Sequence, residues 1–261
     1  IRIRGKAVIL AGGAVPTPML LLRQALAHSS GEIGKNMSLH PSGGIAGVFD
    51  ERLDPDKHIP QGYMVDEFLR EGMLIVGAQP DLNIAHMAFP FTGSRLMRAM
   101  DSLPHVAMFG AMIRDEARGR VWFDVKGNPM MTYNLTPNDV DRMHRAMVHT
   151  SELCFAAGSH RVYLGLIGHD ALESRADLDR FKTEKPTPAE MALVSYHPLG
   201  TCRMGRDATT SVVDLDHQSH DVPGLFIVDG STVPGPPGVN PQIIIMAMAT
   251  RAAERIAARL A

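Results

Sequence analysis

Residues 225–249 carry the strongest fold signal in the chain, and they read LFIVDGSTVPGPPGVNPQIIIMAMA. The apolar run LFIV ends at Asp229 and Gly230, which predicts a buried strand followed by a turn. A loop rich in glycine and proline extends through Gly238, and Pro241 can then begin a helix, because proline is favoured in the first helical turn. This succession of strand, loop and helix is typical of an α/β protein.

The beginning of the chain shows the same succession. Residues 7–10 form a continuous apolar run, and Gly12 and Gly13 follow at once. Pro16 then precedes the leucine-rich residues 19–22. This pattern predicts a buried strand, a tight turn and a helix. Two regions of similar character therefore enclose a middle part of different composition.

The middle part consists of short apolar segments separated by glycine, proline and aspartate. Four of them have the content of strands, namely NIAHMAFPF (83–91), HVAMFGAMIRD (105–115), GRVWFD (119–124) and PMMTYNL (129–135). Short strands at this spacing predict an antiparallel sheet. The predicted fold class is therefore α/β, or α+β for the chain as a whole.

One helix in the middle part has clear boundary signals. Thr136 is a favoured N-cap residue, Pro137 suits the first helical position, and Asp139 complements the dipole of the first turn. Gly158 marks the far end. We assign the methionines on this helix to core packing, since flexible thioethers fill irregular gaps in protein interiors.

Composition excludes several classes of function. The chain has 261 residues, 45% of them hydrophobic, with a net charge of -2. Neither nucleic acid nor anionic lipid is predicted as a partner, because both require clustered surplus Lys and Arg. The longest apolar run near the C-terminus, 243–249, is far shorter than the roughly 20 residues that cross a bilayer. The two cysteines, Cys154 and Cys202, favour a reducing compartment, and we expect a cytoplasmic protein.

Motifs narrow the chemistry further. The sequence contains no G-x-S-x-G, H-E-x-x-H, P-loop or complete G-x-G-x-x-G motif, which disfavours hydrolases and kinases. His40, His217 and His220 lack the spacing of metal ligands, so we expect surface or capping roles for them and predict no metal site. Small-molecule chemistry remains, and two polar residues beside glycines are the candidates for it.

These candidates are His197, in the block YHPLGTCRMG at 196–205, and Asn240. Histidine is the side chain whose charge changes near neutral pH, but His197 taken alone could equally be a structural residue. Asn240 could simply cap the last helix. A helix N-terminus also stabilises an electron-rich group, so the capping and functional interpretations of Asn240 are compatible.

The order of these motifs resembles the C-terminal half of the glucose-methanol-choline (GMC) flavin oxidoreductases. The likeness rests on HPLGTCRMG (197–205), SVVD (211–214) and GLFIVDGSTVPGPPGVNPQ (224–242). Near the start, GGAVPTPMLLL (12–22) is similar to a second signature of that family. Within the family, the chain looks most like the long-chain fatty alcohol oxidases, on the stretches NMSLHP, VDEF, IRDE and GVNPQ.

The resemblance implies that residues 1–40 and 196–261 form part of a Rossmann-like FAD-binding domain, and that 41–195 form an antiparallel-sheet substrate domain with helices. It implies oxidation of the CH–OH group of an alcohol by hydride transfer to FAD. His197 would then be the base and Asn240 would hold the substrate oxygen. The implied cofactor-binding residues are Gly12, Gly13, Asp229, Gly230, Asn240, Pro241 and Gln242.

The dinucleotide fingerprint that this family carries on its first strand is absent from the sequence. We therefore expect the chain to be the second half of a longer enzyme, with the N-terminal half or a companion subunit as its partner and a lipophilic alcohol as a compatible substrate. Alone, the chain is expected to hold FAD poorly. Two alternatives stay open: a non-catalytic remnant or subunit that kept the fold, and an unrelated nucleotide-binding α/β protein.

Overall fold

A computed structural model describes residues 4–54, 57, 59, 61–78 and 88–261. The chain divides into two compact units. The first unit comprises Ile1–Leu39, Glu116–Asn134 and Tyr196–Ala261, and the second comprises His40–Asp115 and Leu135–Ser195. The boundaries of the units lie at residues 39/40, 115/116, 134/135 and 195/196, and the segment 116–134 belongs to the first unit.

Strands and helices are numbered in chain order. The strands are β1 Val8–Leu10, β2 Ser42–Val48, β3 Met64–Val65, β4 Met73–Ala78, β5 Val106–Ile113, β6 Arg120–Phe123, β7 Pro129–Thr132, β8 Arg161–Leu164, β9 Leu193–Val194 and β10 Leu225–Ile227. The helices are α1 Pro16–Arg23, α2 Gly93–Asp101, α3 Pro137–Ala156, α4 Arg175–Phe181 and α5 Gln242–Leu260. No helix in the described part of the chain is long and apolar enough to span a membrane.

The second unit is built on one antiparallel sheet of order β3-β4-β5-β2-β8, with β9 also pairing with β2. This confirms the predicted antiparallel sheet and the mixed fold class. Helix α3 packs on one face of the sheet, where Ile45, Ile113, Met143 and Met147 share a buried core. The helix begins as predicted, because Thr136 and Asp139 form a reciprocal capping box.

An interior strand of this sheet, β2, is absent from the sequence prediction, because SGGIAGV contains three glycines, which are depleted in strands, and only two β-branched residues. Its glycines have a packing reason. A Cβ on Gly43 would lie 2.5 Å from Cε of Met147, and one on Gly47 would lie 3.0 Å from Sγ of Cys154. The missing side chains therefore allow α3 to lie close against the sheet.

We expect Gly47→Ala to lower the free energy of unfolding by about 1–3 kcal/mol, because the new methyl group overpacks the contact with Cys154. Urea denaturation of the protein measures the change. The double variant Gly47→Ala/Cys154→Ala should lose less stability than the sum of its two single variants, since removing Sγ makes room for the methyl group. Gly235→Ala is the matched control, because nothing lies within 4 Å of a Cβ at that position. Additive losses in the double variant would contradict the packing explanation.

The other strand predictions differ in outcome. The segments at 105–115, 119–124 and 129–135 contain β5, β6 and β7, which confirms them. Residues 83–87 of the remaining segment lie outside the described residues, and 88–91 are irregular, so the strand predicted there is wrong in its described portion.

In the first unit, β1 and β10 pair in parallel, with Val8 opposite Leu225. The predicted burial of β10 is confirmed, but the predicted burial of β1 is wrong, since Val8 and Ile9 are 55% and 52% exposed. Consecutive residues of a strand point to opposite faces, so both faces of β1 are open. Within the described residues β1 pairs only with β10, and the faces that are normally covered in a parallel sheet are open.

Candidate functional site

A carboxylate clamp joins the two glycine turns of the first unit. Oδ2 of Asp229 accepts hydrogen bonds from the backbone N–H of Gly13 at 2.9 Å and from Oγ1 of Thr17 at 2.6 Å. Its Oδ1 accepts from the backbone N–H of Ser231 at 2.8 Å and from Oγ of Ser231 at 2.5 Å. Asp229 thus fixes the turn after β1 against the turn after β10.

This arrangement gives three predicted cofactor-binding residues a scaffold role. Both carboxylate oxygens of Asp229 accept hydrogen bonds from protein donors, and Gly12 donates its backbone N–H to Thr17 Oγ1 at 3.0 Å. Gly13 has φ +90 and open space where a Cβ would stand, so a side chain is disfavoured there by the backbone and not by crowding. Sequence reasoning missed Thr17, whose only signal was a hydroxyl one residue after Pro16.

His197 is half-buried at the start of a segment that returns into the first unit. Burial lowers the pKa of its imidazole below the usual value, because the charged form loses hydration. The ring is therefore neutral at neutral pH, and a neutral imidazole has one nitrogen able to accept a proton. This is the protonation state that a base requires.

The segment that follows His197 is held at several points. The backbone of Leu199 exchanges hydrogen bonds with Ser38 in both directions, at 3.0 and 3.1 Å. The backbone N–H of Gly200 donates to the carbonyl oxygen of Gly230 at 3.2 Å. Gly200 itself has a φ of +85°, in the left-handed region. A Cβ on Gly200 would lie only 2.6 Å from the carbonyl oxygen of Asn36, so glycine is required here by both conformation and space.

Gly230 is the point where this segment meets α5. A Cβ on Gly230 would lie 3.2 Å from Cδ2 of Leu199, 3.3 Å from Cδ1 of Ile245 and 3.5 Å from the carbonyl oxygen of Pro198. The residue immediately after His197 and the first turns of α5 therefore both pack against Gly230. A larger residue would push these two elements apart.

Helix α5 begins one residue later than predicted, at Gln242, with Pro241 in the N-cap position. Neither Pro241 nor any other side chain caps it. Asn240 is exposed, and its side chain makes no hydrogen bond within the described residues, so the capping interpretation of Asn240 is not what the structure shows. The first amides of α5 therefore point outward without side-chain acceptors, next to Ile243, which is 73% exposed.

Some of the predicted site residues contact one another directly, and others lie on segments that pack against a common residue. Gly13 and Asp229 are hydrogen bonded. The segments that carry His197 and Asn240 share the contact at Gly230, and the two side chains make no hydrogen bond with each other.

Two of the three other histidines considered in the sequence analysis lie elsewhere than expected. His40 and His217 are buried, whereas the sequence analysis expected surface or capping positions for them. Nε2 of His220 lies 3.0 Å from Oγ of Ser211. In the part of the chain that the structure describes, no group of three or more His, Cys, Asp or Glu side chains could hold a metal ion.

Comparison with known proteins identifies the class. The GMC oxidoreductase family models match residues 1–42 with the N-terminal domain and 115–249 with the C-terminal domain. The chain belongs to the GMC oxidoreductase family, which confirms the resemblance seen in the sequence. It also agrees with the fold, since the chain superimposes on pyridoxine 4-oxidase from Mesorbium loti with a TM-score of 0.68 at 21% identity, over 95% of this chain and 51% of that one.

Two relatives illustrate the likeness in sequence. An uncharacterized GMC-type oxidoreductase of Mycobacterium tuberculosis is 33% identical over 97% of this chain and 40% of its own length. Long-chain-alcohol oxidase FAO3 of Arabidopsis thaliana is 26% identical over 98% of this chain and 37% of its own length. The chain therefore spans about 40% of the length of these relatives.

The GMC oxidoreductases are FAD-binding flavoproteins, which confirms the predicted cofactor for the family. The residues present fit such a group. Ile243 offers an exposed apolar surface for a flat ring, and the uncapped amides of α5 favour an electron-rich edge. The open space at Gly13 suits close approach to backbone.

Proposed function

We propose that the chain is the C-terminal part of an FAD-dependent oxidoreductase that oxidises the CH–OH group of an alcohol. The observation that carries this proposal is the packing at Gly230, which joins the segment of the half-buried, neutral His197 to the uncapped start of α5 beside Asn240. The names of the relatives support the substrate class, since they include a long-chain-alcohol oxidase and a pyridoxine 4-oxidase.

In this proposal the substrate loses a hydride from carbon and a proton from oxygen, and it becomes a carbonyl compound. FAD, when bound, supplies the hydride acceptor. The unprotonated nitrogen of the neutral His197 imidazole accepts the hydroxyl proton, a contribution worth about 10²–10⁴ in rate. The side-chain amide of Asn240 donates a hydrogen bond to the same oxygen, and it stays neutral, so it does not compete for the proton.

The start of α5 has a separate task. A helix terminus favours negative charge nearby by about 0.3–1 kcal/mol when exposed and by up to about 2 kcal/mol when partly buried. The backbone amides from Gln242 onward would therefore stabilise the electron-rich edge of the ring system that they face. The exposed side chain of Ile243 would cover part of the ring and keep water from it.

We assign the first unit to FAD binding and the second unit to the substrate domain. The partner that completes the first unit is the N-terminal half of the same enzyme or a companion subunit. The open faces of Val8 and Ile9 on β1 support this, because the crossover helices of a larger parallel sheet would cover them. A lipophilic alcohol is the proposed substrate.

Anaerobic titration of the full-length protein with 1-dodecanol tests the function. We expect loss of the flavin absorbance with the alcohol and no change with its methyl ether, which cannot release a hydroxyl proton. Full-length protein that purifies without flavin, or flavin that no alcohol in a series of chain lengths reduces, would instead support a non-catalytic remnant.

A further inference from the structure

The second unit contains a cavity of about 740 Å³. It lies between the N-terminal half of α3 and the segment 182–188 that follows α4. Its walls are mostly apolar and include Leu135, Val140, Pro186 and Pro188. Binding sites for small molecules have volumes of about 300–1,000 Å³ and are lined mainly by apolar side chains with a few polar groups. The cavity has both properties.

Among the polar residues of the wall, His144 is the one that is buried, and the others are exposed. Its Nε2 lies 2.8 Å from the carbonyl oxygen of Phe181, and its ring packs edge to face on the ring of Phe181 at 4.7 Å. A carbonyl oxygen can only accept, so Nε2 carries the hydrogen in this contact. In the neutral ring Nδ1 is then an acceptor, and no described residue donates to it. A buried residue of the cavity wall therefore carries one nitrogen that can receive a hydrogen bond from a ligand.

The charges around the mouth largely offset one another. Nζ of Lys182 pairs with Glu152 at 3.0 Å and with Asp179 at 3.2 Å. Lys185 and Asp141 also line the cavity, and neither forms an ion pair within the described residues. Glu184, the fourth charged residue of the lining, lies 3.4 Å from Nδ1 of His169, so the lining has two lysines and two carboxylates and its formal charges cancel. The mouth therefore favours an uncharged ligand over a carboxylate or an amine.

We propose that this cavity binds an uncharged molecule with an apolar body and one hydroxyl group, which donates its hydrogen to Nδ1 of His144. The apolar parts of the wall exclude water from the body of the ligand, and the hydroxyl satisfies the acceptor on the buried His144. The site uses no residue assigned to alcohol oxidation or to FAD. It is therefore a second ligand site, and it does not depend on the proposed reaction.

Calorimetric titration of the full-length protein with 4-ethylphenol and with 4-ethylanisole tests the site. The two probes have similar apolar bodies, but only the phenol can donate a hydrogen bond. We expect the phenol to bind about 3- to 10-fold more tightly, the range for one neutral hydrogen bond. The variant His144→Phe should remove this difference. Equal affinity of the two probes for the unaltered protein would overturn the role of His144.

Two further measurements locate the binding. Val140→Trp fills the cavity and should weaken phenol binding at least 10-fold, whereas Val125→Trp, at the fully exposed turn between β6 and β7, should not. A crystal soaked with 4-bromophenol should show anomalous bromine density beside Leu135 and Val140, a result that does not depend on how a variant folds. Density only elsewhere, or unchanged affinity in Val140→Trp, would refute the site.

Discussion

Replacing His197 by alanine is expected to lower the rate of alcohol-dependent flavin reduction in the full-length enzyme by about 10²–10⁴-fold, the usual contribution of a positioned base. The side chain is half-buried and its pKa is lowered, so the wild-type ring is a neutral acceptor under ordinary conditions. Stopped-flow spectroscopy without oxygen measures the reduction step directly. Retained flavin absorbance in the variant shows that the cofactor is still bound.

Tyr196→Phe is the matched control, because Tyr196 adjoins His197 in sequence but is largely exposed. We expect it to leave the reduction rate within a few-fold of wild type. An unchanged rate in His197→Ala would remove the imidazole from the proposed mechanism.

The pH dependence provides an independent test of the same residue. Burial lowers the pKa of His197 below 6.5, and only the neutral ring can accept the proton. The wild-type reduction rate should therefore be constant at and above neutral pH and fall on acidification, with a midpoint below 6.5. The reduction rate of His197→Ala should not show this fall on acidification. A wild-type limb centred above 6.5 would contradict the assignment.

Replacing Asp229 by alanine is expected to lower the free energy of unfolding by about 2–4 kcal/mol. Four hydrogen bonds to the carboxylate disappear, and the hydroxyl groups of Thr17 and Ser231, both buried, lose their acceptor. Hydrogen bonds to charged groups contribute about 1.5–3 kcal/mol each, and losses within one network do not add fully. Chemical denaturation of the full-length protein measures the change.

Asp207→Ala is the control for this variant. Asp207 accepts from the backbone N–H and Oγ1 of Thr209, at 2.8 and 2.7 Å, but in an exposed turn. We expect it to cost less than about 1 kcal/mol, since water replaces the lost partner. The Asp229 variant should also release flavin more readily, because the turn at Gly13 is no longer fixed. Equal losses of unfolding free energy in the two variants would show that the hydrogen bonds of Asp229 stabilise the protein no more than those of an exposed turn.

Local signals in the sequence predicted elements whose stability is also local. Helix α3 was predicted from Thr136, Pro137 and Asp139, because a capping box depends only on residues of the first turn. Strands β5 and β10 were predicted from apolar runs that are buried in the structure. These elements needed no knowledge of distant neighbours.

Elements that depend on tertiary packing escaped prediction. Strand β2 consists largely of glycine and alanine, and its fit beneath α3 explains why these small residues form an interior strand of the sheet. The burial of β1 was overestimated for the opposite reason, since an apolar run reports a capacity for burial and not the presence of neighbours. In both cases the deciding contacts lie outside the local sequence.

The candidate site shows the same division. His197, Asn240 and the glycines were found from their motifs, but their scaffold was not. The clamp between Thr17 and Asp229 joins residues 212 positions apart, and no short pattern signals such a contact. The contact of two segments at Gly230 is likewise tertiary, and no pattern in the sequence around Gly230 reveals it.

The interleaving of the two units has a consequence for biosynthesis. Every residue of the second unit has been translated once Ser195 is added, so that unit can fold while the ribosome is still at work. The first unit closes later, because the pairing of Val8 with Leu225 cannot form until Leu225 emerges. Termination between Ser195 and Leu225 would therefore leave a finished sheet beside a strand β1 that lacks its pairing with β10, and an unpaired strand edge favours aggregation.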